Sequence, residues 1–122
     1  AGLLKGYRAT SHWASIDQLA LLGAEPVAER VVRDRNRITG GGVTSGIDFA
    51  LMLAAEIAGR NIAEEIALGI EYDPAPPFPG GSPRSAEAIF VDRVRDGMAD
   101  FLERRRAATR RAAARLGFTP QA

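Results

Sequence analysis

No cysteine occurs in the chain. Disulfides, thiolate metal sites and thiol catalysis by its own side chains are thereby excluded. Histidine is nearly missing too, since His12 stands alone. A histidine-based metal site is therefore not expected, and a Ser-His-Asp triad has only His12 to be built around. No sign of charge dominates: 16 basic residues against 15 acidic ones leave a formal charge of +1. Composition gives no general attraction to nucleic acid. No apolar run reaches the roughly 18–20 residues of a membrane span, and Glu56 interrupts the longest candidate. Ala1-Gly2-Leu3-Leu4-Lys5 is too short for the apolar core of a signal peptide. These absences predict a cytoplasmic chain with no membrane and no nucleic-acid partner. An opening Ala in place of Met predicts that further sequence precedes it.

What remains is ordinary globular material, 122 residues with 46% apolar and 25% charged side chains, near the common size of one domain. Residues 1–4 read as the last turn of a helix, with Gly6 just past its end. Tyr7 to Thr10 reads as a strand. Ser15-Ile16-Asp17-Gln18 fits a capping box, and its helix runs through Leu22 to a stop at Gly23. Pro26 to Val32 is extended, Asp34-Arg35-Asn36 is a turn signal, and Arg37-Ile38-Thr39 returns as a hairpin partner.

Gly40-Gly41-Gly42 then feeds an apolar segment. Glycine in an ordinary position is unfavourable, so such a run implies unusual dihedrals or a close backbone approach. From Val43 to Ala58 the apolar spacing is helical, and only Asp48 and Glu56 are charged. A helix so apolar is expected to be buried on more than one side. Asn61-Ile62-Ala63-Glu64 gives a second capping box for a helix to about Ile70. Tyr72 to Pro83 is loop, and a helical tract follows from Ser85 to Leu116 with a break expected at Gly97. A buried helix with few strands beside it predicts part of an α/β sandwich.

Three stretches carry a likeness to a known family: "AGLLKGYRATSHW", "ERVVRDRNRITGGGVTSGIDFALMLAAEIAG" and "EYDPAPPF". Together they resemble the ThiJ/PfpI superfamily, a glutamine-amidotransferase-like group, and within it the isocyanide hydratases. The resemblance implies a three-layer, flavodoxin-like α/β sandwich. Residues 1–122 would be the C-terminal part of a single such domain. It also implies a nucleophilic Cys roughly two to three helical turns before Ala1, so no catalytic residue is expected in this chain. The residues expected to wall the substrate site are Gly41, Gly42, Val43, His12 and Thr44. Gly40 to Gly42 would let the chain pass beside the thiol, and bulkier residues at Gly41 or Gly42 would push the following helix away.

Each of these positions has a plainer reading as well. The glycines suit a tight hairpin-to-helix turn. His12, with Trp13, sits where a strand ends, a place for ligands or for a structural histidine at a sheet edge. Thr44 and Ser45 suit helix capping, with Ser45 and Asp48 as a Ser-x-x-Asp pair. Tyr72 to Phe78 could wall a pocket or a dimer seam, or only pack rigidly. Arg104-Arg105-Arg106 and Arg110-Arg111 are interleaved with alanines and follow Asp96, Asp100 and Glu103, so they read as a solvated face.

The resemblance implies an isocyanide hydratase, a hydro-lyase in which an upstream thiolate attacks an isocyanide and water releases an N-substituted formamide. No metal or organic cofactor is required for such nucleophilic chemistry. The expected partners are a small isocyanide, the N-terminal remainder of the protein and a second copy in a homodimer. Two alternatives stand: the ligand-sensing half of an AraC-type transcription regulator, and a catalytically inert fragment.

Overall fold

The computed structural model describes residues 2–118. Ala1, read above as part of a helix end, lies outside the described residues, and Leu3 to Gly6 form a turn in place of a helix. Lys5 N donates to Gly2 O, and Gly6 is left-handed at φ +70° with its N–H on Gly23 O. Strand β1 is Arg8–Ala9 and strand β2 is Glu25–Pro26, and the two pair in parallel. Between them a 3-10 helix covers Trp13–Leu22 and stops at left-handed Gly23 (φ +75°), as that glycine predicts.

The start of this helix differs from the capping box read in the sequence. His12 is the cap, its Nδ1 accepting Ala14 N–H at 3.2 Å. Ser15 lies inside the helix and turns its hydroxyl back to His12 O. Gln18 is buried and accepts the Thr109 hydroxyl at 2.9 Å. A partner 91 residues away has taken the side chain that local pattern assigned to the cap.

Strands β3 (Val31–Asp34) and β4 (Arg37–Gly40) form an antiparallel hairpin around Arg35, which is left-handed at φ 52°. The extended stretch expected from Pro26 to Val32 is thus interrupted at residues 27–30. Side chains dock the hairpin onto β1. Arg8 N donates to Asp34 Oδ2 at 2.8 Å, and Thr10 N donates to Thr39 Oγ1 at 2.9 Å. The Arg8 amide, with the Arg35 guanidinium, holds the Asp34 carboxyl below its ordinary pKa.

A short 3-10 turn, Val43–Ser45, leads into helix α1 (Gly46–Ala58). Ser45 stands at the cap position but makes no capping bond; its hydroxyl donates to Gly42 O at 2.8 Å. Asp48 is drawn to Arg30 and Tyr72 instead. Helix α2 (Arg60–Gly69) follows a single Gly59 at φ +91° and packs against α1. The expected capping box at Asn61 does not form. The cap is Gly59 and the helix begins two residues earlier than that box implies, with Arg60 Nε on Glu64 at 2.6 Å.

After an irregular segment come α3 (Ala88–Gly97) and α4 (Ala99–Arg115), broken at Met98, where Gly97 predicts the interruption. Helix α4 packs on the first 3-10 helix through Arg106 with Asp17 and Thr109 with Gln18. The described residues therefore combine four α-helices with two small sheets, an α and β composition. Among the described residues the buried apolar ones are few, namely Ala9, Ala24, Val32, Ala63 and Ala113. Helix α1 has no buried residue, contrary to the burial expected from its composition; Ile57 is 78% exposed. The physical reason is that α2 alone packs broadly on α1 among the described residues, with β4 and the preceding 3-10 turn making narrower contacts.

Candidate functional site

The expected site residues fall at two neighbouring chain ends. His12 follows β1 and Gly42 follows β4, so the docking of the hairpin onto β1 brings them together. A Cβ placed on Gly42 would lie 3.6 Å from His12 Cδ2. His12, Gly42 and Val43 line one open cleft of about 450 Å3, together with Ser11, Ser15 and Gly40. Its far wall is Met98, Phe101, Leu102 and Arg105. The His12 ring lies 5.5 Å from that of Trp13, and Arg95 covers Trp13 at 5.6 Å. Trp13 does not line the cleft.

The three glycines have three separate causes. At Gly40 a Cβ would come within 3.1 Å of Ser45 Oγ, and at Gly41 within 3.0 Å of Glu29 O and 3.2 Å of Thr10 Oγ1. Both are close approaches to the protein's own atoms. Gly42 has space around it but adopts φ +83°, ψ 171°, a region open almost only to glycine. The turn that results holds Val43 out at 96% exposure.

Gly41 and Thr44 do not line the cleft. Gly41 donates its N–H to Arg30 O at 2.8 Å, completing the hairpin end. Thr44 is exposed, and its carbonyl accepts from Arg30 Nη2 at 2.7 Å. Thr10 is buried beneath them and donates to Glu29 O at 2.7 Å.

Sequence reasoning missed the α4 wall. Phe101 and Leu102 lie 89 and 90 residues beyond His12 in the chain, and no local pattern joins them. The only available signal was the length of the final helical tract, which has to fold back onto something. Among the described residues no group of three or more His, Cys, Asp or Glu is placed to hold a metal ion. No described helix is long and apolar enough to cross a membrane. The cleft is thus lined by an imidazole, the Ser11 hydroxyl, an apolar wall and the Arg105 side chain, while the Ser15 hydroxyl is turned to His12 O. Its own residues include no thiol.

This chain is 55% identical over 118 residues to an isonitrile hydratase of Pseudomonas putida, an alignment covering 97% of the chain and 52% of that relative. The chain therefore spans about half the length of the curated relative that it matches. It also superposes on the crystal structure of a ThiJ/PfpI family protein from Pseudomonas syringae with a TM-score of 0.85 and 50% identity, covering 88% of this chain and 45% of that one. Residues 1–56 match the DJ-1/PfpI family, in agreement with the ThiJ/PfpI membership of that structural neighbour.

Proposed function

We propose that this chain forms part of an isonitrile (isocyanide) hydratase, which converts an isocyanide and water to an N-substituted formamide. The observation that carries this reading is the 55% identity to the Pseudomonas putida isonitrile hydratase. The geometry supports it, because the glycine turn and His12 border one cleft.

The nucleophile in this reading is a cysteine thiolate supplied from outside residues 1–122. It attacks the terminal isocyanide carbon, an acid protonates the thioimidate-like adduct, and water releases the formamide. Gly41, Gly42, Val43, Thr44 and His12 would shape the substrate side of the site. Gly42 and Val43 would present backbone to the reacting atoms, and Gly41 and Thr44 would hold that backbone in place. We further infer that β1 to β4 are portions of the larger sheet of a three-layer sandwich, and that the protein works as a homodimer in the cytoplasm. The chemistry calls for no cofactor.

The test is direct. The longest polypeptide that encodes these residues is incubated with a simple alkyl isocyanide, and formamide is followed by its infrared or proton signal. Formamide production abolished by Cys→Ser at the upstream thiol supports the hydratase. Absence of turnover in a folded protein refutes it.

A further inference from the structure

We propose that Arg30 is a positioning residue that holds the glycine turn and the start of α1 against the cleft. This inference deepens the hydratase reading and rests on it for its catalytic consequence.

Arg30 lies in the bend just before β3, and it grips the turn from both its main chain and its side chain. Its carbonyl accepts the Gly41 N–H at 2.8 Å. Its Nη2 donates to Thr44 O at 2.7 Å, and its Nε donates to Asp48 Oδ2. Thr44 and Asp48 are four residues apart, so the carbonyl of one and the side chain of the other lie along one face of the helix entry. One guanidinium fork spans both, which a planar group with several fixed donors can do. The two grips bracket Gly42 and Val43, the residues of the turn that reach the cleft.

The surroundings brace the clamp. Tyr72 donates to the free Asp48 oxygen at 2.6 Å. Arg84 Nη1 donates to Ala28 O at 2.7 Å, steadying the backbone two residues before Arg30. The turn itself has little else to hold it. Val43 is 96% exposed, and the only side-chain bond within it runs from Ser45 to Gly42 O. Gly42 occupies a costly backbone conformation, which persists only where neighbours impose it. Arg30 is itself half-exposed, with 52% of its side chain accessible. An exposed ion pair adds little to global stability. A consequence confined to the turn is therefore the expected signature.

The experiment compares Arg30→Met, Arg30→Lys and Asp48→Asn with Arg33→Met in the longest polypeptide that encodes the chain. Arg33 pairs with Glu56 at 2.8 Å on the same hairpin but does not touch the turn, so it controls for loss of any surface charge there. Hydrogen exchange is read at peptides covering Gly41 to Ser45 and at β3 and β4. Arg30→Met is expected to speed exchange in the turn about tenfold and leave the hairpin strands unchanged. It is expected to lower kcat for an isocyanide about three- to tenfold with a smaller change in KM, because the backbone is displaced and the pocket is kept. Arg30→Lys should recover part of both effects, since an ammonium can reach Asp48 or Thr44 O but not match the fork. Asp48→Asn should lie between wild type and Arg30→Met.

Exchange in the turn within twofold of wild type for both Arg30 variants overturns the proposal, as does an equal effect of Arg33→Met. If the wild-type protein hydrates no isocyanide, the functional reading fails. The exchange data still decide whether Arg30 holds the turn.

Discussion

Tyr72 donates its hydroxyl to Asp48 Oδ1 at 2.6 Å, joining the segment after α2 to the first turn of α1. Burial pushes the Asp48 carboxyl up, but the bonds from Tyr72 and Arg30 outweigh it and hold the pKa below the ordinary 3.8. A carboxylate depressed on folding contributes stability above its unfolded pKa, and that contribution is lost as pH falls through the folded value. We predict that the urea midpoint of the wild-type protein falls more between pH 6 and pH 3 than that of Asp48→Asn. Equal acid dependence of the two would show that the contact contributes nothing to the folded state. The same bond pushes the Tyr72 phenol up, so Asp48→Asn should lower the tyrosine titration seen by ultraviolet absorbance.

Gly41 and Gly42 are expected to fail differently when replaced. Gly41→Ala forces a methyl against Glu29 O and Thr10 Oγ1, an overpacking that costs about 1–3 kcal/mol. Gly42→Ala makes only an ordinary contact with His12 Cδ2 at 3.6 Å but has strained dihedrals at φ +83°, also about 1–3 kcal/mol. The difference lies in rescue. Thr10→Ala removes the Oγ1 contact and should relieve part of the Gly41→Ala loss while doing nothing for Gly42→Ala. Additive losses in the Thr10→Ala, Gly41→Ala pair, measured by chemical denaturation, would contradict this.

The elements that local chemistry specifies were legible in the sequence. Gly23 ends its helix in the left-handed conformation, Arg35 and Asn36 turn the hairpin, and the final tract breaks at Gly97 and Met98. The glycine run was legible as a special backbone, and its first and last members, Gly40 and Gly42, line the cleft with Val43. What local pattern hid were choices settled at long range. Ser15, Gln18 and Ser45 all look like caps or capping-box members, yet Gln18 serves Thr109, and Ser45 serves the carbonyl of Gly42. Capping-box spacing says that a bond is available; it does not say that no better partner exists elsewhere. Arg30 carried no signal at all, because its meaning depends on where Thr44 and Asp48 come to rest.

Phe101 and Leu102 give an apolar wall to the cleft that His12 and Val43 also line. If that wall limits the substrate, Phe101→Ala should enlarge the cleft. The expected result is a shift of about tenfold in kcat/KM toward a bulky isocyanide over a small one. An unchanged ratio between the two would remove α4 from the substrate site.

The last prediction concerns assembly. The described residues expose 8726 Å2, whereas a compact monomer of 13.0 kDa exposes about 6,300 Å2. The excess is apolar in part, since Ile57, Leu68 and Phe78 are 78%, 84% and 79% exposed. Contiguous apolar patches on monomers seldom exceed a few hundred Å2, so these helices need a cover. A second copy is the cover we predict, because a two-fold axis lets one apolar face serve both subunits. Sedimentation at micromolar concentration should show twice the protomer mass, and Ile57→Glu or Leu68→Glu should shift it toward the monomer. A monomeric wild-type protein would mean instead that other segments of the same polypeptide cover α1 and α2. In that case the two Glu variants would lower stability without changing mass.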